Sequence, residues 1–118
     1  MSHVLPVLMP WLQILECPSL QTLDIQSNTI EDDGIVDILA AMPDLRVVYL
    51  MGNPVVNKIR HYRKTIISCC LHLKYLDDRP VFDDERSRVM AWAKGYAEGG
   101  EKRALEAERE EIRRLRGQ

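Results

Sequence analysis

Aromatic side chains are scarce in this 118-residue sequence, at 6% with a single phenylalanine, so no aromatic stacking platform stands ready for nucleic-acid bases. Cysteine is limited to Cys17, Cys69 and Cys70, an odd number without CxxC spacing. That excludes a disulfide framework and a zinc finger, and fits a reducing cytosol. Long apolar runs are missing too: Val4 to Leu15 is apolar, but Pro6 and Pro10 break it and no basic residue precedes it. It falls far short of the roughly 20 apolar residues a membrane span needs, and it does not read as a signal peptide. No Gly-rich phosphate loop, Gly-x-Ser-x-Gly elbow or His-Glu-x-x-His occurs, so neither catalysis nor a cofactor is expected. A formal charge of −2 predicts no strong overall field.

What the sequence does contain is a repeat. Leu20-x-x-Leu23-x-Ile25-x-x-Asn28-x-Ile30 returns 25 positions later as Leu45-x-x-Val48-x-Leu50-x-x-Asn53-x-Val55, which is leucine-rich-repeat spacing. In each unit a short strand turns Leu23/Ile25 or Val48/Leu50 inward and Thr22/Asp24 or Val47/Tyr49 outward, by the period of two. The chain must turn just beyond the strand, where the Asn28 and Asn53 side chains can bond backbone groups left unpaired inside the stack. Those two asparagines are therefore structural.

Residues 10–18 and 35–43 align at the same offset, each ending in a proline, and read as the returning helices of successive repeats. In the second, Asp32 or Asp33 can cap the N-terminus, and Ile35, Ile38, Leu39 and Met42 form one apolar face. The first would bury Trp11, Ile14, Leu15 and Cys17. Upstream of Trp11 the chain is too short for another unit, so the start looks truncated. Leu5, Leu8, Met9 and Trp11 would leave an apolar edge, predicting concentration-dependent self-association.

Beyond Asn53-Pro54 the pattern lengthens. Asn57 to about Leu71 reads as one helix burying Ile59, Tyr62, Ile66, Cys69, Cys70 and Leu73, followed by a last strand at Leu73-x-x-Leu76 and a turn at Asp77 to Pro80. Asp83 or Asp84 can cap a further helix carrying Val89, Met90, Trp92, Ala93 and Tyr96, which Gly95 and Gly99-Gly100 weaken or break. Nine acidic and nine basic residues fall in the 36 positions from Asp83, which predicts an exposed helix or half of a coiled coil from Glu101 onward. The expected fold is α/β: a leucine-rich-repeat solenoid fragment with short parallel strands, a C-terminal cap helix and a helical tail. Residues 1–82 form the repeats with their cap, and 83–118 the charged tail.

Thr22, Asp24, Gln26, Val47, Tyr49, Met51 and Tyr75 should line the concave face that repeat stacks offer to partners. Exposed Val, Met and Tyr together favour a protein ligand. Lys58, Arg60, His61, Arg63 and Lys64 form a basic patch that could touch phosphates or an acidic partner, although the solvated face of the cap helix is the favoured reading. Cys69, Cys70 and His72 lack a fourth metal ligand and read as packed cysteines. Asp77, Asp78, Asp83, Asp84 and Glu85 lack calcium-loop spacing and read as turn and cap residues.

The runs MPDLRVVYLMGNPVVNKIRHYRK, LKYLDDRPVFDDER and AWAKGYAEGGEKRALEAERE, from about Met42 to Glu110, resemble the last repeats and cap of the leucine-rich-repeat dynein axonemal assembly factor family. The specific part is Leu76 to Phe82 with Ala91-Trp92-Ala93 and Gly95-Tyr96-Ala97. The resemblance implies a cytoplasmic, non-catalytic scaffold that preassembles dynein arms for motile cilia or flagella, with axonemal dynein chains or assembly machinery as partners. It also implies a hinge at Leu76 to Phe82. Two alternatives share the fold: a ribonucleoprotein component, which would bind RNA through Arg60 and Arg63, and an axonemal dynein light chain.

Overall fold

The computed structural model describes residues 19–117. The 10–18 helix, its apolar side chains and the N-terminal edge invoked for self-association lie outside them. Strands β1 (Thr22–Asp24) and β2 (Val47–Tyr49) pair in parallel with Thr22 opposite Val47 and Asp24 opposite Tyr49. The parallel ladder continues to β3 (Tyr75–Leu76), and β3 then pairs antiparallel with β4 (Arg79–Pro80), giving the order β1-β2-β3-β4. The fold is α/β, and these are leucine-rich repeats.

The core lies between the inner sheet face and two helices behind it. Leu23, Val48, Leu50 and Leu76 meet Ile35 and Leu39 of α1 (Ile35–Ala40) and Ile66 and Ile67 of α2 (Tyr62–Cys69), all buried. Ile38 and Met42 are buried as the apolar face of α1 requires. Neither Asp32 nor Asp33 caps α1: the N-cap residue is Gly34, without a side-chain cap bond, and Asp32 Oδ1 accepts the Gly34 N–H at 2.8 Å in the turn ahead of the helix. Gly52 sits at φ +84°, and a Cβ there would come within 3.0 Å of the Ser27 backbone nitrogen of the preceding unit. Only glycine allows both the turn and so close a stacking.

The asparagine positions carry the inter-repeat bonding. Asn53 is buried; its Nδ2 donates to the Leu50 and Ile25 carbonyls at 2.7 and 2.9 Å, and its Oδ1 accepts the Ile30 N–H at 3.1 Å. Asn28 Nδ2 donates to the Ile25 and Gln26 carbonyls, but its side chain is exposed, so it stabilises its own turn from outside the described core.

Three expectations need correction. The helix expected from Asn57 to Leu71 is a 3₁₀ turn, Pro54–Asn57, and then α2, separated by His61 in the left-handed region at φ +51°. Histidine tolerates that region better than most residues, and Arg60 bonds across the break, its carbonyl accepting the Thr65 hydroxyl at 2.8 Å. Arg79-Pro80 is a strand rather than only part of a turn, because Asp77 adopts φ +57° and reverses the chain tightly. Proline is acceptable there, since an edge strand needs no outward donor.

The third correction concerns the tail. α3 (Asp83–Arg116) is broken at Gly99 and Gly100, the latter at φ +74°. Residues 101–116 fold back on 83–98, so that a Cβ on Gly95 would meet the Arg103 carbonyl at 2.6 Å and the Ala107 Cβ at 2.9 Å. The polar helix thus has a partner, and it is the preceding helix of its own chain. Ala104 and Glu108 are buried in the crossing. Asp83 and Asp84 do not cap through their side chains; Phe82 is the N-cap residue, and the acids occupy the first turn, where the helix dipole favours negative charge.

Candidate functional site

The register sets Thr22, Val47 and Tyr75 side by side across three parallel strands, with Pro80 opposite Tyr75 on the fourth. Asp24 and Tyr49 form the next row, and Gln26 and Met51 follow at the turns. These rows place the outward residues of the alternation on one side of the sheet. Its centre is aromatic: the Tyr49 and Tyr75 rings lie 5.9 Å apart at 54°, both half-buried. Met51 is exposed beside them and Val47 half-buried. At the other margin Asp24 Oδ1 accepts the Gln26 N–H at 3.2 Å and Oδ2 accepts Gln26 Nε2 at 3.3 Å. The carboxylate is thereby tied to its own strand end. The tyrosine pair gives this side of the sheet an aromatic centre with a polar margin.

The basic patch is only in part a solvated face. Lys58 pairs with Glu31 at 3.4 Å, and Arg60 and His61 both bind Glu101, His61 at 2.6 Å. Lys64 Nζ reaches Glu108 at 2.5 Å and lies 5.5 Å over the Trp92 ring. Arg63 turns inward altogether: it forks onto Glu85 at 2.7 and 2.9 Å and donates to the Leu76 and Pro80 carbonyls at 3.1 and 3.0 Å. Every cation of the cluster therefore has a carboxylate partner within the chain. Lys58, Arg60 and His61 remain exposed, as a solvated face requires, while Arg63 and Lys64 turn onto α3.

Sequence reasoning missed the residues that complete these contacts. Arg86 donates to the Ile67, Cys70 and Leu73 carbonyls at 2.7, 3.1 and 2.9 Å, satisfying the orphan end of α2 where a cation is favoured by the dipole. Burial lowers its pKa below the ordinary arginine value. Asp77 accepts the Leu50 and Met51 N–H groups at 2.7 and 3.1 Å and the Tyr62 hydroxyl at 2.6 Å, so it closes the last repeat as well as turning the chain. Burial, reinforced by this bond, raises the Tyr62 hydroxyl well above its usual range. Glu101 and Glu108 were legible only as a seven-residue spacing on a small-residue face.

Cys70 is buried in the core and burial pushes its thiol up to about 12, while Cys69 is half-exposed on the last turn of α2. No group of His, Cys, Asp and Glu among the described residues could hold a metal ion. No helix among them is long and apolar enough to cross a membrane.

A leucine-rich-repeat family model matches residues 16–39. Among curated proteins, the leucine-rich repeat-containing protein ODA7 of Chlamydomonas reinhardtii is 52% identical over 103 residues, which span 87% of this chain and 24% of that protein. The dynein axonemal assembly factor 1 of Homo sapiens is 51% identical over 89 residues, 75% of this chain and 12% of that one. The homologue named for the same factor in Aedes aegypti is 48% identical over 100 residues, 85% of this chain and 9% of its own length. The chain thus spans about a quarter or less of the relatives it matches.

Proposed function

Because this chain is a leucine-rich-repeat segment homologous over most of its length to dynein axonemal assembly factor 1 proteins, we propose that it serves axonemal dynein arm assembly as a non-catalytic, protein-binding scaffold. Its place of action in this reading is the cytoplasm, where arms are preassembled before reaching cilia or flagella. Dynein chains or their assembly machinery are the partners. The observation that carries the reading is the half-buried Tyr49–Tyr75 pair at the centre of the concave face, bordered by Val47 and Met51. The identity to the relatives supports the pathway; the tyrosine pair supports the manner of binding.

The ribonucleoprotein alternative has less support, because Arg63 is turned inward onto Glu85, which leaves Arg60 alone of the two guanidinium groups open to a phosphate.

Two experiments test the proposal. Tyr49→Ala should weaken capture of dynein chains from a ciliated-cell cytoplasm by roughly tenfold, the effect of truncating one central aromatic anchor, without unfolding the chain. Undiminished capture would remove the concave face as the site. Depletion of the full-length parent protein in a motile ciliated cell should leave axonemal doublets intact but without dynein arms in electron micrographs. Intact arms would sink the assembly role.

A further inference from the structure

We propose that the polar strip at the start of α2, formed by Arg60, His61 and Lys64 with Arg88 beside it, is a binding site for a helix that presents two carboxylates seven residues apart. In the structure residues 101–116 fill it as a detachable occupant, which a partner helix with the same carboxylate spacing displaces. The partner half of this inference rests on the protein-binding reading above; the detachable arm stands on geometry alone.

The occupant itself shows what the strip recognises. Glu101 is bound by Arg60 and His61. Seven residues on, Glu108 takes Lys64 at 2.5 Å and lies 3.9 Å from Arg88. Between them Ala104 is fully buried, and the chain passes close to Gly95. Two carboxylates seven residues apart on a helix stand about 10 Å apart along one face, and a small residue between them lets the backbone approach. Trp92 forms the floor, with Lys64 over its ring and the His61 ring 5.3 Å away edge-on.

The arm is held by charge more than by burial. Leu105 is 46% exposed, and Ile112 and Leu115 are only half-buried, so its apolar contribution to the contact is small beside that of Ile66 and Ile67 on α2. The Arg60 pair is exposed, and such pairs hold only weakly. Burying the Glu108 carboxylate carries a desolvation penalty that offsets most of its attraction to Lys64. The pivot is unobstructed: Gly100 stands at φ +74° with no atom within 4 Å of where a Cβ would be. Undocking therefore opens the strip without disturbing the repeat core.

Hydrogen exchange of the whole chain between 50 and 500 mM NaCl reads the arm directly. Screening of the exposed pairs should raise amide exchange over residues 101–116 by roughly threefold, while 22–80 stay unchanged. The double variant E101Q/E108Q should show the fast exchange already at low salt. A labelled peptide of residues 101–118 should bind that variant roughly tenfold more tightly than the unmutated chain, since the site is then vacant, and the same peptide carrying both glutamines should not bind. Arm exchange as slow as that of α2 at every salt concentration, with no peptide binding to the variant, would overturn the proposal. Binding of an oligouridine RNA to the variant in place of the peptide would overturn the assigned occupant. Should the variant fail to fold, the salt series on the unmutated chain decides alone. Tyr49→Ala leaves these readouts untouched, so failure of the concave site and failure of the arm are separable.

Discussion

Arg63→Ala is expected to lower stability by about 3 kcal/mol, the range for removing one partner of a buried ion pair, and the thermal midpoint by on the order of 15 °C. The side chain is 18% exposed and its guanidinium ties three elements together: Glu85 on α3, the Leu76 carbonyl on β3 and the Pro80 carbonyl on β4. Alanine strands two carbonyls and a carboxylate at once. Arg63→Lys keeps the charge but not the fork, and should recover less than half of the loss. Arg60→Ala, whose side chain is 72% exposed, should cost about 0.5 kcal/mol or less. Equal losses at positions 60 and 63 would refute the account.

The same pair gives a pH signature. Arg63 beside it, against the opposing effect of burial, holds the Glu85 carboxyl below the usual carboxylate value of 4.5. A carboxyl whose pKa is depressed on folding contributes stability that is full above its unfolded value and lost as pH falls through its folded one. The difference between the unmutated chain and Arg63→Ala should therefore be constant near neutrality and shrink below about pH 4.5. Urea denaturation at a series of pH values measures it, and a pH-independent difference would show that Glu85 is not the partner that matters.

Asn53→Ala is expected to be nearly as severe, at about 3 kcal/mol, because it strands buried backbone groups of two successive repeats. One side chain satisfies the Ile25 and Leu50 carbonyls and the Ile30 N–H, and water cannot replace it at 3% exposure. Asn53→Asp should recover little, since a carboxylate accepts from Ile30 but cannot donate to the two carbonyls. Asn28→Ala, at the same repeat position but exposed, should cost about 1 kcal/mol or less. Urea midpoints of the three variants, at unchanged m-value, rank the positions. If Asn28 proved as costly as Asn53, burial would not be what separates them.

The contrast between these positions shows what the sequence could reveal. A 25-residue period, followed by a last apolar segment 28 positions on, dictated three parallel strands, the inward set Leu23, Val48, Leu50 and Leu76, and the outward Val47, Tyr49 and Tyr75, because pleat and period are local properties. The outward side of the sheet followed from them directly. The cap was harder. Arg63, Arg86 and Asp77 are charged residues whose bonds join segments 13 to 27 positions apart, and a lone charge in a sequence looks the same whether it faces water or a buried carbonyl.

The tail misled for a related reason. Charge on half its residues predicted exposure, yet Glu108 is buried against a half-buried Lys64 because the charges of α2 and α3 are complementary at long range. The glycines gave the better signal: Gly99-Gly100 was legible as a break. That it reverses the helix depends on Gly95 and Ala104 being small enough to let two backbones touch.

The antiparallel pairing of β4 with β3 gives the repeat stack a direction. A new repeat adds a parallel strand, and the far edge of β3 is already taken by a strand running the other way. Duplication of a whole unit can therefore lengthen this array only upstream of the cap, where a second copy of 20–44 would meet the neighbours that the first meets now. Internal duplication is the ordinary way repeat arrays lengthen, and here the four residues between Leu76 and Val81 work as its stop signal.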